Sequence, residues 1–155
     1  MSVLLGLDLG DRRIGVASGD TSSGAVTPLL TLRRGTPEQD AAVISRLCAE
    51  RHAVAVVVGL PLHLDGRESE QSRRTREWVA AVESALGVPV SLRDERLSSQ
   101  ATEARLGRPP RGRAGGPPSR TAMRTRRARI DREAAALIVQ RELDARMAAA
   151  AKVGP

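Results

Sequence analysis

A chain of 155 residues with 41% hydrophobic and 28% charged residues has the composition of one soluble globular domain, and no stretch approaches the length of a membrane span. With one Trp and no Tyr or Phe, it lacks the aromatic platform on which many proteins stack single-stranded bases. The net charge of +7 is concentrated, because ten arginines and a single acid, Asp131, lie between Arg105 and Arg132. That segment carries an excess of +9 and the remainder sums to −2, a distribution typical of proteins that bind a polyanion.

The cysteine content and the first residues favour a cytoplasmic protein. Cys48 is the single cysteine, so no internal disulfide can form, and it falls at an apolar position of a predicted helix, where we expect it in the core. The apolar run at the start of the chain is short and is interrupted by Asp8, unlike the pattern of a signal peptide.

The first predicted strand runs from Val3 to Gly10 and is apolar or glycine at every position except Asp8. Such a run is typical of a strand buried in the middle of a sheet. A lone carboxylate there is unfavourable unless it finds a partner. Two explanations stay open: Asp8 is a metal ligand presented beside a tight glycine turn, or it caps that turn or pairs with Arg12 or Arg13.

The next elements are predicted from their patterns. Strands at 14–20 and 25–32 complete an antiparallel meander with the first. A helix begins after Thr36, which is suited to the N-cap, with Pro37 at the first helical position and Gln39 three residues after the cap. The remaining predicted elements are a strand at 53–58 ending at Gly59, a helix at 69–86 ended by Gly87, a strand at 88–92, a short helix at 99–106 and a final helix from about 131 to 150.

Residues 107–129 lack apolar periodicity and are rich in Pro, Gly and Arg, which predicts a flexible loop. The order βββ-α-β-α-β-α-(loop)-α predicts an α/β fold with a mixed five-stranded sheet. Its first three strands form the antiparallel meander, parallel crossovers join the others, and helices cover both faces. We expect a single domain over 1–150 and a tail at 151–155.

Three carboxylates are predicted to meet at one edge of this sheet. Asp8 lies at the end of the first strand, Glu95 follows the fifth strand, and Asp131 opens the last helix. The carboxyl ends of neighbouring parallel strands meet where active sites form. Converging carboxylates repel each other, which predicts a divalent-cation site, and all-oxygen ligands select Mg²⁺ or Mn²⁺. Two such ions about 4 Å apart could clamp the attacking and leaving oxygens of a phosphodiester.

Simpler explanations exist for two of these acids. Asp131 is suited to a helix N-cap, and Glu95 has Arg93 and Arg96 close to it along the chain. The functional interpretation is favoured by the combination of three acids at element ends with the adjacent segment of charge +9.

Four blocks of sequence resemble the YqgF/RuvX family, small bacterial proteins described as pre-16S rRNA nucleases and as Holliday junction resolvases. In order, the blocks are Leu7-Asp8-Leu9-Gly10-Asp11-Arg12-Arg13-Ile14-Gly15-Val16-Ala17, then Val58-Gly59-Leu60-Pro61-Leu62 with Asp65-Gly66, then Asp94-Glu95-Arg96-Leu97-Ser98-Ser99, and last Ile130-Asp131 with Ala134-Ala135 and Leu137-Ile138. The resemblance covers essentially the whole chain and implies an RNase H-like fold. It also implies that Asp8, Glu95 and Asp131 are the catalytic, metal-binding acids. The chain departs from the family pattern in the long Arg-, Gly- and Pro-rich segment ahead of Asp131.

Resemblance and charge together predict a metal-dependent endonuclease acting on structured nucleic acid, and the resemblance suggests the 5′ end of precursor 16S rRNA as its target. Arginines of the basic segment would hold the phosphate backbone. Arg12 and Arg96 either contact the scissile phosphate or only neutralise the acids, the second being favoured for Arg96. The predicted nucleic-acid-binding residues are Arg12, Arg96, Arg111, Arg113, Arg120, Arg124, Arg126, Arg127 and Arg129.

Two other functions fit the same residues. Resolution of DNA four-way junctions would use the same acids but needs two active sites and hence a symmetric dimer, so monomer and homodimer both stay open. A non-catalytic nucleic-acid-binding factor in ribosome assembly or transcription is disfavoured, because a pure polyanion binder gains nothing from clustered negative charge.

Overall fold

The computed structural model describes residues 2–96 and 115–153. The predicted short helix at 99–106 lies outside the described residues, as do Arg111 and Arg113. The elements are the strands β1 (Val3–Leu9), β2 (Arg13–Asp20), β3 (Val26–Arg33), β4 (Ala53–Leu60) and β5 (Val90–Asp94), and the helices α1 (Pro37–Arg51), α2 (Glu70–Leu86) and α3 (Arg120–Val153).

The five strands form one mixed sheet in the order β3-β2-β1-β4-β5. The pairs β1–β2 and β2–β3 are antiparallel, whereas β1–β4 and β4–β5 are parallel. The predicted meander and parallel crossovers are therefore confirmed. The central strand is β1, and its Leu4, Leu5 and Leu7 are fully buried because helices cover both faces of the sheet.

Local sequence explains where the first two helices begin and end. The Thr36 hydroxyl accepts a hydrogen bond from the Gln39 N–H (3.2 Å), and the Gln39 side chain accepts one from the Thr36 N–H (3.0 Å), which is the predicted capping box of α1. Ser69 caps α2, and Gly87 ends it at a φ of 72°, a left-handed conformation that favours glycine. The indole N–H of Trp78 then joins the two helices by donating to the buried Asp40 carboxylate at 3.1 Å.

The two faces of the sheet carry side chains of different size. Under α1 and α2 lies a core of large aliphatic residues, which also contains Cys48 as predicted and buries its thiol, raising its pKa. The opposite face, on which α3 lies, is built mostly from small residues, because side chains alternate between the two faces along each strand. The small residues on the α3 face are Gly6, Gly15, Ala17, Gly19, Ala55 and Gly59.

The last helix begins at Arg120, so the predictions that a loop extends to 129 and that Asp131 opens the helix are wrong. The Ser119 hydroxyl caps α3 by accepting a hydrogen bond from the Ala122 N–H at 3.1 Å. From Ser119 to Val153 there is no Gly or Pro, and the Arg, Ala and Met residues in this stretch are strong helix formers. The helix also extends past 150 into the predicted tail.

In the part of the chain that the structure describes, no helix combines the length and the apolar character needed to cross a bilayer.

Candidate active site

Asp8 lies at the next-to-last position of β1, on the face of the sheet that α3 covers. Its partner across the antiparallel pair is Gly15 of β2. A Cβ atom on Gly15 would lie only 1.9 Å from the carbonyl oxygen of Asp131, so the α3 backbone crosses in direct contact with this strand. The close approach at Gly15 therefore brings Asp131 beside Asp8 from within a helix, about three turns after the helix begins.

Glu95 reaches the same region from the other side of β1. Its N–H donates to the Leu60 carbonyl at 3.0 Å, which extends the pairing of β5 with β4 by one residue. The side chain turns over Gly59, where a Cβ atom would lie 3.1 Å from the Glu95 Cγ. Gly59 thus leaves room for the carboxylate of Glu95, which is only 3% exposed, to lie over the strand that separates β5 from β1.

The three carboxylates are near enough to affect each other's ionisation. Burial, together with the negative charges of Asp131 and Glu95, raises the pKa of Asp8 from its usual 3.8 to about 7. Raised carboxyl pKa values of this origin are common at functional sites. The structure therefore brings the three predicted acids into one electrostatic cluster.

Arginines hold two of these acids. The Arg13 Nε donates to the Asp131 Oδ2 at 2.8 Å, and the Arg141 Nη1 donates to the Glu95 Oε2. Sequence reasoning considered Arg13 only as a partner of Asp8, and it did not find Arg141. The sequence pattern around Arg141 does not indicate that it pairs with Glu95, because this pairing depends on where α3 crosses the sheet.

The arginines that sequence reasoning placed near Glu95 bind other residues. Arg93 donates to Glu142 at 2.7 Å. Arg96 lies 2.8 Å from Asp94 and also donates to the Leu64 carbonyl at 3.1 Å, so it neutralises a neighbouring acid and anchors the loop that follows β4.

The donor set fits a hard divalent cation, because it consists of carboxylate oxygens and because burial and two negative neighbours raise the pKa of Asp8, which a bound cation would offset. Within residues 2–96 and 115–153, no three His, Cys, Asp or Glu side chains already surround one point as ligands of a single ion. Arg13 and Arg141 are instead the cationic partners of Asp131 and Glu95.

A cleft of about 290 Å³ opens beside the acids, between α3 and the turn that joins β1 to β2. Hydrogen bonds fix this turn, from the Gly10 N–H to the Arg13 carbonyl (2.8 Å) and from the Arg34 guanidinium to the Gly10 carbonyl (2.7 Å). The exposed side chains of Arg12 and Arg127 are thereby brought to one cleft. Its lining residues are Gly10, Asp11, Arg12, Arg13, Arg127 and Asp131.

Comparison with known proteins identifies the family. The family model described as "RuvX: Holliday junction resolvase" matches residues 2–145. A protein of Anaeromyxobacter dehalogenans named "Putative pre-16S rRNA nuclease" is 42% identical over 142 residues, covering 92% of this chain and 96% of the relative. A protein of Chloroflexus aggregans with the same name is 41% identical over 143 residues, covering 92% and 94%.

Two solved structures of RuvC from Thermus thermophilus share the fold. The complex with a Holliday junction has a TM-score of 0.55 at 19% identity and covers 95% of this chain and 96% of that one. The second structure has a TM-score of 0.53 at 17% identity, covering 94% and 96%. These similarities confirm the predicted RNase H-like fold. The match to the family model and the relatives at about 41% identity show that the chain belongs to the RuvX (YqgF) family.

Proposed function

We propose that this protein is a metal-dependent endonuclease for structured nucleic acid, and that it processes the 5′ end of precursor 16S rRNA. The observation that carries the proposal is the cluster of Asp8, Glu95 and Asp131, in which burial and two negatively charged neighbours raise the pKa of Asp8 to about 7. The name of the relatives at about 41% identity supports the choice of rRNA.

In this proposal Asp8, Glu95 and Asp131 hold Mg²⁺ or Mn²⁺, which when bound supplies Lewis acidity and an activated water for phosphodiester hydrolysis. Asp8 must lose its proton to act as a ligand, and its place in the central strand keeps it fixed relative to the other two acids. Arg12 and Arg127, exposed at the cleft beside Asp131, bind the phosphates on either side of the bond that is cut.

A second candidate is resolution of DNA four-way junctions. The description of the matching family model favours it. The three acids do not discriminate between the two substrates, because RNA and DNA present the same phosphodiester. Junction resolution would require a symmetric dimer with two active sites.

The test is cleavage of two labelled substrates side by side in Mg²⁺ or Mn²⁺, a 5′ fragment of precursor 16S rRNA and a synthetic four-way junction. Asp8→Asn controls for contaminating nuclease, and Asp144→Asn, an exposed acid on α3, controls for the loss of one negative charge. Cutting of the RNA alone, lost in Asp8→Asn and kept in Asp144→Asn, is the expected result. Symmetric nicking of the junction would support the resolvase. Binding of both substrates without cleavage would leave a nucleic-acid-binding factor and refute the nuclease.

A further inference from the structure

The first part of α3 extends beyond the residues that hold the helix to the sheet. Two contacts that hold the helix there are a hydrogen bond from the Thr31 hydroxyl to the Ala128 carbonyl (2.7 Å) and the packing of the Asp131 backbone on Gly15. Ahead of Ala128, most side chains from 119 to 127 are exposed. By contrast, residues 134–136, 138 and 139 of the same helix are buried.

Three exposed arginines follow one line along this extension. Arg120, Arg124 and Arg127 are separated by four and three residues, so they lie on the same side of the helix. Continued at the same spacing, the line passes through Asp131 and then Ala135.

This line belongs to the side of α3 that faces the sheet. Where the helix covers the sheet, the line is in close contact with it: the Ala135 carbonyl would lie 3.0 Å from a Cβ atom on Gly6, and the Ile138 side chain packs on Gly59. Where the helix leaves the sheet, the same side is cationic. Arg127 stands at the transition, since it lines the cleft together with Arg12 and Asp131.

The other arginines of this segment point elsewhere. Arg129 comes nine residues after Arg120, and at about 100° per residue it projects from the opposite side of the helix. Arg126, which is half-buried, lies about a third of a turn away from the line. The positive charge of the first part of α3 is therefore not evenly spread around the helix.

We propose that Arg120, Arg124 and Arg127 form a phosphate track that binds one nucleic-acid strand and directs it into the cleft beside Asp131. This inference rests on the proposed function and names the binding surface of that same site. The three residues span about 10 Å of helix axis, room for about three consecutive phosphates of one strand. No acid lies between 115 and 130 to oppose them, and guanidinium groups suit phosphate oxygens.

The test compares two double variants that remove the same charge. Arg120→Gln with Arg124→Gln removes two residues of the track. Arg46→Gln with Arg146→Gln removes one exposed arginine of α1, on the other face of the sheet, and one arginine of α3 that pairs with Glu142 at 3.2 Å, away from the cleft. Glutamine keeps helix propensity close to that of arginine, and far-UV circular dichroism checks that helix content is unchanged.

Binding of a fluorescein-labelled single-stranded RNA is measured by anisotropy over a series of salt concentrations, in EDTA so that no cleavage occurs. The track variant is expected to bind about tenfold more weakly at low salt, with a slope of log K against log [salt] reduced by about 1.4, since each phosphate contact contributes about 0.7. The control variant is expected to keep a slope close to that of the wild type.

Equal losses in the two double variants would overturn the track, because they would show that total charge alone determines binding. Wild-type affinity in the track variant would also overturn the proposal, and would indicate that these arginines bind a partner other than nucleic acid. Because the assay needs neither metal nor cleavage, a wild-type protein that binds RNA through the track but cuts nothing would refute the nuclease and leave the track standing.

Discussion

Asp8 lowers the stability of the folded protein when its carboxyl is ionised. Its carboxyl is buried on the central strand and faces two other negative charges, so the folded protein favours the protonated form. In the unfolded chain the same group ionises near its usual pKa of 3.8. Between those two values the folded state binds a proton that the unfolded state has lost, and stability therefore falls as pH rises.

We expect Asp8→Asn to be more stable than the wild type above pH 7, because asparagine cannot ionise. The gain in free energy of unfolding at about pH 8 should be on the order of a few kcal/mol and should vanish well below the ordinary value of 3.8, where the Asp8 carboxyl is protonated in both the folded and the unfolded chain. Urea unfolding in EDTA, followed by the fluorescence of the single, buried Trp78, measures it. Asp144→Asn, at an exposed position, serves as the control. A gain in the stability of Asp8→Asn that does not grow with pH would contradict the raised pKa of Asp8.

Arg141 is the second residue with a testable consequence. It is 42% exposed but compensates Glu95, whose side chain is only 3% exposed. A cation of the kind proposed above would compete with this guanidinium for the Glu95 carboxylate.

Arg141→Gln is therefore expected to lower the free energy of unfolding of the metal-free protein by about 1–2 kcal/mol, because it removes a guanidinium that binds the buried Glu95 carboxylate. It is also expected to bind Mn²⁺ about tenfold more tightly, because the competitor is gone. Titration calorimetry at about pH 8.5, where Asp8 is ionised, measures the second effect. Arg146→Gln is the matched control, and equal Mn²⁺ affinity in both variants would argue against the competition.

At the scale of elements, the position of α3 depends on the glycines beneath it. The helix backbone touches β2 at Gly15, while at Gly19 the nearest helix atoms belong to the side chains of Val139 and Leu143. Of these two contacts, the first is made by the Asp131 backbone itself and holds that residue close to the sheet.

Gly15→Ala is expected to destabilise the protein by about 3 kcal/mol, because the new methyl group meets backbone that cannot rotate away. It should also abolish cleavage by displacing Asp131. Gly19→Ala meets only side-chain atoms (2.3 Å to the Val139 Cγ1) and lies near the opposite end of β2, so it should reduce stability while keeping activity. Urea unfolding and the cleavage assay report the two effects separately, and full activity in Gly15→Ala would contradict this role.

At the scale of the whole molecule, α3 has two parts that differ in how they pack against the sheet. Its middle closes the second core against the small-residue face of the sheet, whereas its first turns are largely exposed and carry most of their charge on one side. Helices exposed in this way open more easily than those packed in a core.

The rate of amide hydrogen exchange should therefore differ between the two parts of α3. We expect peptides from 120–127 to exchange well before those from 134–143, although both lie in the same continuous helix, and we expect single-stranded RNA to slow exchange in the first group. Mass spectrometry of amide exchange, with and without RNA, tests both statements. Uniform protection along α3 would contradict the division.

The order of strands and helices along the chain, the meander, the helix cap at Thr36, and the positions of Asp8 and Glu95 at strand ends could all be predicted from the sequence. These features depend on periodicity and on residues close in the chain. The prediction of the start of α3 was wrong because it relied on apolar periodicity, which a helix segment that leaves the sheet does not need. The Ser119 cap and the stretch free of Gly and Pro were the local features that indicated the helix.

Which charges meet could not be predicted, because it depends on how α3 packs on the sheet. Arg13 lies opposite Asp131, Arg141 lies opposite Glu95, and Arg120, Arg124 and Arg127 share one side of a helix that crosses the sheet in front of the acids. These pairings join residues far apart in the chain. They depend on where the α3 backbone rests on β2, and glycine at position 15 allows that contact.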